Sequence, residues 1–163
     1  LSEFQGVGRR FERLGDEGGV TVVDDYAHHP TEVAATLSSA RQAYPGRRVV
    51  AVFQPHLYSR TALHGEALGK APAAADMVIV APIYGAREQP VDGITHHLVV
   101  RAATRAGAAT VAVRDRSGLT NHVARAVRQG DVVFTLGAGD VTRVGPELLT
   151  ILRAGSGEQG VVA

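Results

Sequence analysis

Five short apolar runs recur along the chain, at residues 20–23, 49–53, 77–81, 110–113 and 132–136. They are rich in valine, and each is too short for a helix, so they read as strands. Between them, apolar positions recur at helical spacing. Val33, Leu37, Ala40 and Tyr44 share one helical face behind Pro30, which suits the first position of a helix. Leu119, Val123 and Ala126 form a second face, with Ser117 as its N-cap and Gly130 as its stop. Val144, Leu148 and Leu152 form the last, with Pro146 near its start. Strands that are continuous hydrophobic runs, alternating with helices, predict a mostly parallel sheet covered on both faces. The entry differs. Residues 9–14 and 20–24 flank Gly15-Asp16-Glu17-Gly18-Gly19, which reads as a hairpin turn. The fold class is therefore α/β: a Rossmann-like, doubly wound sheet with an antiparallel entry hairpin. Residues 154–163 are small, glycine-containing and aperiodic, and read as a frayed tail. One domain is expected over residues 1–155, with a flexible tail at 156–163.

Composition narrows the classes. A length of 163 residues fits one domain, and 45% hydrophobic with 20% charged residues permits both a core and solubility. A net charge of +1 from scattered basic residues argues against a general nucleic-acid or membrane-surface binder. Cysteine is absent, which excludes disulfides and cysteine metal sites. No apolar run approaches the ~20 residues that span a bilayer, and residues 1–10 lack the apolar core of a signal peptide. A cytoplasmic protein is the default expectation. The chain opens without methionine, in Leu1-Ser2-Glu3-Phe4-Gln5, as a fragment or a trimmed whole protein would.

In open α/β sheets, ligands bind beyond the carboxyl ends of the strands. Here those exits read Asp24-Asp25-Tyr26-Ala27-His28-His29-Pro30, then Gln54-Pro55-His56-Leu57-Tyr58-Ser59-Arg60-Thr61, then Pro82-Ile83-Tyr84-Gly85-Ala86-Arg87-Glu88, and finally Gly137-Ala138-Gly139-Asp140. Four of five exits thus carry polar, aromatic or glycine-rich residues, which outline a single crevice. Each piece also has a plainer reading. Asp24 and Asp25 suit turns and helix starts. His28, His29 and His56 could ligate a metal, but no HExxH helix and no carboxylate at metal-site spacing supports them. Arg60 could be a solvated residue of a first helical turn, with Ser59 as the N-cap. Tyr84 could simply cover the sheet end, and Gly137-Ala138-Gly139 could be only a tight turn. His96 and His97 open a surface helix and carry no assignment.

Two motifs are decoys. Gly65-Glu66-Ala67-Leu68-Gly69-Lys70-Ala71 resembles a phosphate-binding loop, but it is one residue short between the glycines. Ala71 also stands where Ser or Thr must meet magnesium, and the segment lies in a helix. The glycines at 137 and 139 lack the third glycine of the dinucleotide fingerprint and follow the last strand instead of the first.

The exits from Asp24 to Glu32 and from Phe53 to Thr61 resemble the carboxy-terminal domain of the Mur ligases, most closely of the branch that adds L-alanine. Residues 4–12 are similar to the stretch that opens that domain, and residues 82–90 and 136–140 are similar to its later motifs. The resemblance spans roughly residues 3–153. The Asp-Tyr-Ala-His core is shared with folylpolyglutamate synthetases, whereas the double histidine with Phe-Gln-Pro-His and Tyr-Ser-Arg-Thr is narrower. The resemblance implies an ATP-dependent ligase that joins L-alanine to UDP-N-acetylmuramate through an acyl phosphate, in peptidoglycan synthesis. It implies two further domains in the complete enzyme, one for the UDP-sugar and a central one holding Mg2+ and the triphosphate. This chain alone is then expected to be inactive. Asp25 would meet the ATP ribose, with His28 and His29 beside the nucleoside. Tyr26 would border the alanine pocket, His56 would help hold the alanine, and Arg60 would bind its carboxylate, which guanidinium fork geometry suits. Tyr84, Gly137 and Gly139 are further candidates. Leu57 stands where a second arginine is common in the family, so another group completes the carboxylate clamp or binding is weaker. Two alternatives remain beside this reading: a sibling ligase for murein tripeptide, and a non-catalytic α/β binding module.

Overall fold

The computed structural model describes residues 8–158. Residues 4–7 of the Mur-like opening and residues 159–163 of the expected tail lie outside them. The chain enters through β1 (Glu12–Glu17) and β2 (Val20–Asp25). It continues through α1 (Pro30–Ala43), β3 (Val49–Phe53), α2 (Tyr58–Lys70), β4 (Met77–Val80), α3 (His97–Arg105) and β5 (Ala109–Ala112). It closes with α4 (Leu119–Ala126), β6 (Val132–Leu136) and α5 (Val144–Glu158). The six strands form one sheet in the order β1-β2-β6-β3-β4-β5. Only the β1–β2 pair is antiparallel.

The valine runs become strands because both of their faces are covered. Val49, Ala51 and Phe53 point to one face, under Leu37 of α1, Leu68 of α2 and Val99 of α3. Val50 and Val52 point to the other, with Val123 of α4 and Leu148 of α5. Strand β6 enters last and fills the slot between β2 and β3, where all five of its residues are buried. Fully burying such a side chain contributes roughly 1.5–3 kcal/mol, which explains why the central strand contains no charged residue. The register pairs Asp25 with Leu136, Leu136 with Phe53, Phe53 with Val80 and Val80 with Ala112. The carboxyl ends of the parallel strands are therefore level, and the segments that follow them share one edge.

Local signals differ from expectation at several ends. The hairpin turn is only Gly18-Gly19, both at positive φ (58° and 75°), as a two-residue turn matched to strand twist requires. Gly15, Asp16 and Glu17 belong to β1, whose register shifts between Arg13 and Gly15. The N-cap of α4 is Gly118 instead of Ser117, because the Asp115 carboxylate takes both Ser117 Oγ and the Gly118 N–H. Helix α4 stops at Ala126, before Gly130. Ser59 does not cap α2; Leu57 holds that position, and Ser59 pairs with Glu88. Helix α5 continues through Glu158, where small residues suggest a tail. The phosphate-loop decoy does lie in a helix. Gly69 lets α2 approach α3 closely, since a Cβ there would overlap Ala102 and stand 2.5 Å from the Val99 carbonyl oxygen. Among the described residues, no helix is long and apolar enough to cross a membrane.

Candidate functional site

The exits of β2, β3, β4 and β6 do converge. Four rings make a row across the carboxyl edge of the sheet. Tyr26 meets His28 edge-on at 5.1 Å between centroids, and His28 meets His56 at 5.5 Å. His56 then stacks on Tyr84 at 5.9 Å with 15° between planes. The guanidinium of Arg9 covers the outer face of Tyr26 at 5.2 Å. Gly139 lies directly beneath Tyr84, so close that a Cβ would overlap the ring.

Arg60 leans over this row from the first turn of α2. Its Nη1 is 3.3 Å from His56 Nδ1. Among the described residues, no carboxylate pairs with its guanidinium. Backbone geometry aims it there. Leu57 sits at φ 71°, a region costly for a non-glycine residue. The conformation is imposed from both sides: Leu57 N–H donates to the Tyr84 carbonyl, and Tyr84 N–H donates to the Pro55 carbonyl. Strain of this kind is commonly stored at functional sites.

Asp25 behaves differently from a ligand-facing carboxylate. It is buried in β2 and accepts three hydrogen bonds, from Phe11 N at 2.9 Å, Ala27 N at 2.8 Å and Thr36 Oγ1 at 3.2 Å. With about four acceptor positions on a carboxylate, one remains. Asp24, the other half of the pair, is no simple turn residue either. Its carboxylate is buried and takes Arg9 Nε at 2.8 Å, Thr135 Oγ1 at 2.5 Å and Thr142 Oγ1 at 2.9 Å. Arg9 also donates to the Gly137 carbonyl, which ties the chain entry to the exit of β6.

The carboxylate that faces the histidines is Glu32. Its Oε2 accepts from the N–H groups of His28 and His29 at 3.2 and 3.1 Å, as a capping-box glutamate does. The spacing of Glu32 from the His29 N-cap was a readable signal for this, although histidine is not a usual cap residue. Gln54, which the sequence shows only as part of the second exit, has a structural role. It bridges β3 to the last loop, donating to Asp140 at 2.7 Å and accepting from Val141 N at 3.1 Å. His96 is buried at the start of α3, outside the ring row.

Desolvation lowers the pKa of His56 and of His29, and the Arg60 charge lowers both further. Desolvation likewise lowers that of His96. The sign of the effect on stability follows. Below the ordinary value of 6.5 the unfolded chain takes up protons that the folded chain refuses, so stability falls as pH drops through that window. Urea unfolding at pH 8 and just below 6.5, where carboxylates remain ionised, should show a lower midpoint at the acid end. His56→Gln should flatten part of that slope. An unchanged midpoint would contradict burial of neutral imidazoles.

The sequence matches the family model described as Mur ligase, glutamate ligase domain, over residues 9–139. The chain belongs to that family. It is 53% identical over 158 residues to a UDP-N-acetylmuramate–L-alanine ligase of Mycobacterium sp. (strain JLS), covering 94% of this chain and 32% of the relative. The chain thus spans about a third of the length of the curated relatives it matches. Among solved structures, a murein peptide ligase from Psychrobacter arcticus superposes with a TM-score of 0.73 at 25% identity, over 100% of this chain and 32% of that one. UDP-N-acetylmuramate–alanine ligase from Thermotoga maritima gives 0.72 at 24% identity, over 95% and 32%. The Mur ligase domain fold accounts for the sheet order and the antiparallel entry. The ring row and Arg60 lie at its carboxyl edge.

Proposed function

We propose that this chain is the domain with which an ATP-dependent ligase of peptidoglycan synthesis holds L-alanine for coupling to UDP-N-acetylmuramate. The observation that carries this reading is the 53% identity, across 94% of the chain, to a ligase of that name. The crevice supports it chemically. A free amino acid brings a carboxylate and an amine, and the amine must stay clear to attack the acyl phosphate. The carboxylate is therefore the natural handle, and Arg60 offers a guanidinium that no carboxylate among the described residues pairs with. His56, in contact with Arg60, and Tyr26 border the same space.

The nucleoside of ATP would lie along the flat rings of His28 and His29, with Tyr84, Gly137 and Gly139 lining the far side. The rings suit a base. Asp25, already bonded to three donors, can accept at most about one more hydrogen bond, from a ribose hydroxyl. Mg2+ and the triphosphate would be held mainly by the central domain, and the UDP-sugar by the first.

Arg60 provides the test. A hydrogen bond to a charged group contributes roughly 1.5–3 kcal/mol, which is about ten- to over a hundredfold in binding. Leu57 supplies no second cation, so the loss of Arg60 should not be compensated. In the complete enzyme, Arg60→Ala should raise the L-alanine Michaelis constant at least about tenfold, with much smaller changes for ATP and UDP-sugar. Arg60→Lys should recover only part, because it keeps the charge and loses the fork. Steady-state kinetics with each substrate varied in turn decide it; an unchanged alanine constant would make Arg60 a solvated surface residue.

A further inference from the structure

We infer that His28, His29 and Glu32 form a binding site for a divalent transition-metal ion of the zinc class, separate from the magnesium chemistry of a ligase. Each of the three offers one ligand atom, and these atoms lie within 4.8 Å of one another. No carboxylate stands out at metal-site spacing in the sequence, but Glu32, four residues after His28, supplies one from the first turn of α1. The turn at Pro30 starts α1, and the first helical turn brings Glu32 back over the two imidazoles. The same bonds that cap the helix fix the carboxylate. Glu32 Oε2 is held by two backbone N–H groups, which leaves Oε1 for an ion.

A second observation concerns the tautomer of His28. Its Nδ1 is 2.9 Å from the Tyr26 carbonyl oxygen. A metal-binding histidine commonly donates one ring N–H to a backbone carbonyl, which fixes the tautomer and frees the other nitrogen for the ion. The chemistry of the donors selects the ion. Two imidazoles and one carboxylate suit Zn2+, Co2+ or Ni2+, whereas Mg2+ prefers oxygen ligands and keeps its waters.

Distances set the remaining cost. Ligand atoms around a tetrahedral ion at about 2.1 Å stand roughly 3.4 Å apart. The three side chains must therefore draw together by an ångström or so. His29 is exposed, so its ring can swing toward Glu32, whose backbone bonds hold the carboxylate in place. The charge of Arg60 nearby opposes the ion and weakens the site without removing its ligands. An ion here and a nucleoside along the same rings would exclude each other, although the metal site stands on its own geometry and does not depend on the ligase reading.

The test is titration of the 163-residue chain with ZnCl2 by calorimetry, repeated with MgCl2, with circular dichroism to verify folding. One zinc ion should bind per chain, and magnesium should not compete with it. Changing groups that only support a metal's ligands typically costs 10–100-fold in affinity, so loss of a ligand itself should cost at least about tenfold. His29→Ala removes an exposed ring and leaves the Glu32 backbone bonds in place, so it should weaken zinc by that factor without unfolding. Glu32→Gln should do the same, while His122→Ala, on α4, should leave binding unchanged. No zinc binding by the parent chain, equal binding of magnesium, or zinc affinity unaltered in His29→Ala would each overturn the site.

Discussion

Asp25→Ala should lower the melting temperature of this domain by about 6–12 °C, as one kcal/mol corresponds to roughly 2–4 °C at this size. The estimate starts from three donors that converge on one buried carboxylate: Phe11 N, Ala27 N and Thr36 Oγ1. Hydrogen bonds to a charged group contribute roughly 1.5–3 kcal/mol each, and leaving buried donors unpaired costs about 1–3 kcal/mol apiece. Removing the carboxylate also removes its own desolvation cost, so the sum is discounted to about 3 kcal/mol. The bonds join three parts of the molecule: the bend before β1 through Phe11, the end of β2, and α1 through Thr36. Loosening should therefore concentrate at the chain entry. Phe11 packs edge-on against Phe134 at 5.2 Å, and amide exchange should accelerate there before it does in β3 or β6. Asp25→Asn should fall between, because one amide oxygen can still serve a donor while the NH2 group faces another. A melting temperature within about 2 °C of the parent for Asp25→Ala would show that the three bonds are not worth what their burial suggests.

The second large effect is expected from Gly139→Ala. The backbone there is extended, at φ −95° and ψ −151°, so an alanine meets no conformational penalty. The obstacle is space. A Cβ would overlap Tyr84 Cγ, stand 2.8 Å from Tyr84 Cβ and stand 2.6 Å from Gln54 Oε1. Tyr84 is 37% exposed and can swing outward, but that breaks its stack on His56. Gln54 is buried and bonded to both Asp140 and Val141, so it cannot withdraw without losing those bonds. Overpacking of this kind costs about 1–3 kcal/mol. Melting should fall by roughly 4–8 °C for a cost near 2 kcal/mol. Gly155→Ala is the internal control. It lies in α5 with nothing within 4 Å of its Cβ position, and it should be neutral or stabilising by up to about 1 kcal/mol. Equal melting temperatures for the Gly139 and Gly155 variants would mean that the loop after β6 yields freely. Tyr84 and Gln54 would then not be held by it.

Both predictions concern residues that the sequence marks for ligand contact and the structure also engages in holding the site together. The resemblance assigns Asp25 to a ribose, yet its carboxylate joins three elements. Gly139 reads as part of a tight turn or as a further binding candidate, yet it is the floor under a tyrosine ring. These uses are compatible with a binding role in the complete enzyme, but they dominate in the domain itself.

The sequence by itself determined the periodic features. Valine runs of four to five residues, flanked by segments with apolar residues three and four apart, can bury their surface only as strands between helices. The parallel sheet, its two covered faces and the edge where exits gather all follow from that. Pro30 as the start of α1 was legible for the same reason, since a fixed φ and a missing N–H suit that one position. Tertiary structure decided what depends on competition between partners. Ser117 and Ser59 are good caps in isolation, but their hydroxyls donate to Asp115 and Glu88 instead. Residues 154–158 have weak helical propensity, yet they continue a helix already nucleated and packed by Val144 and Leu148. The position of β6 between β2 and β3, far from its sequence neighbours, sets Gly139 under Tyr84 and joins Arg9 to Gly137. Spacing along a chain reports which residues share a face. Which donor reaches which acceptor first is settled only when distant segments occupy the same space.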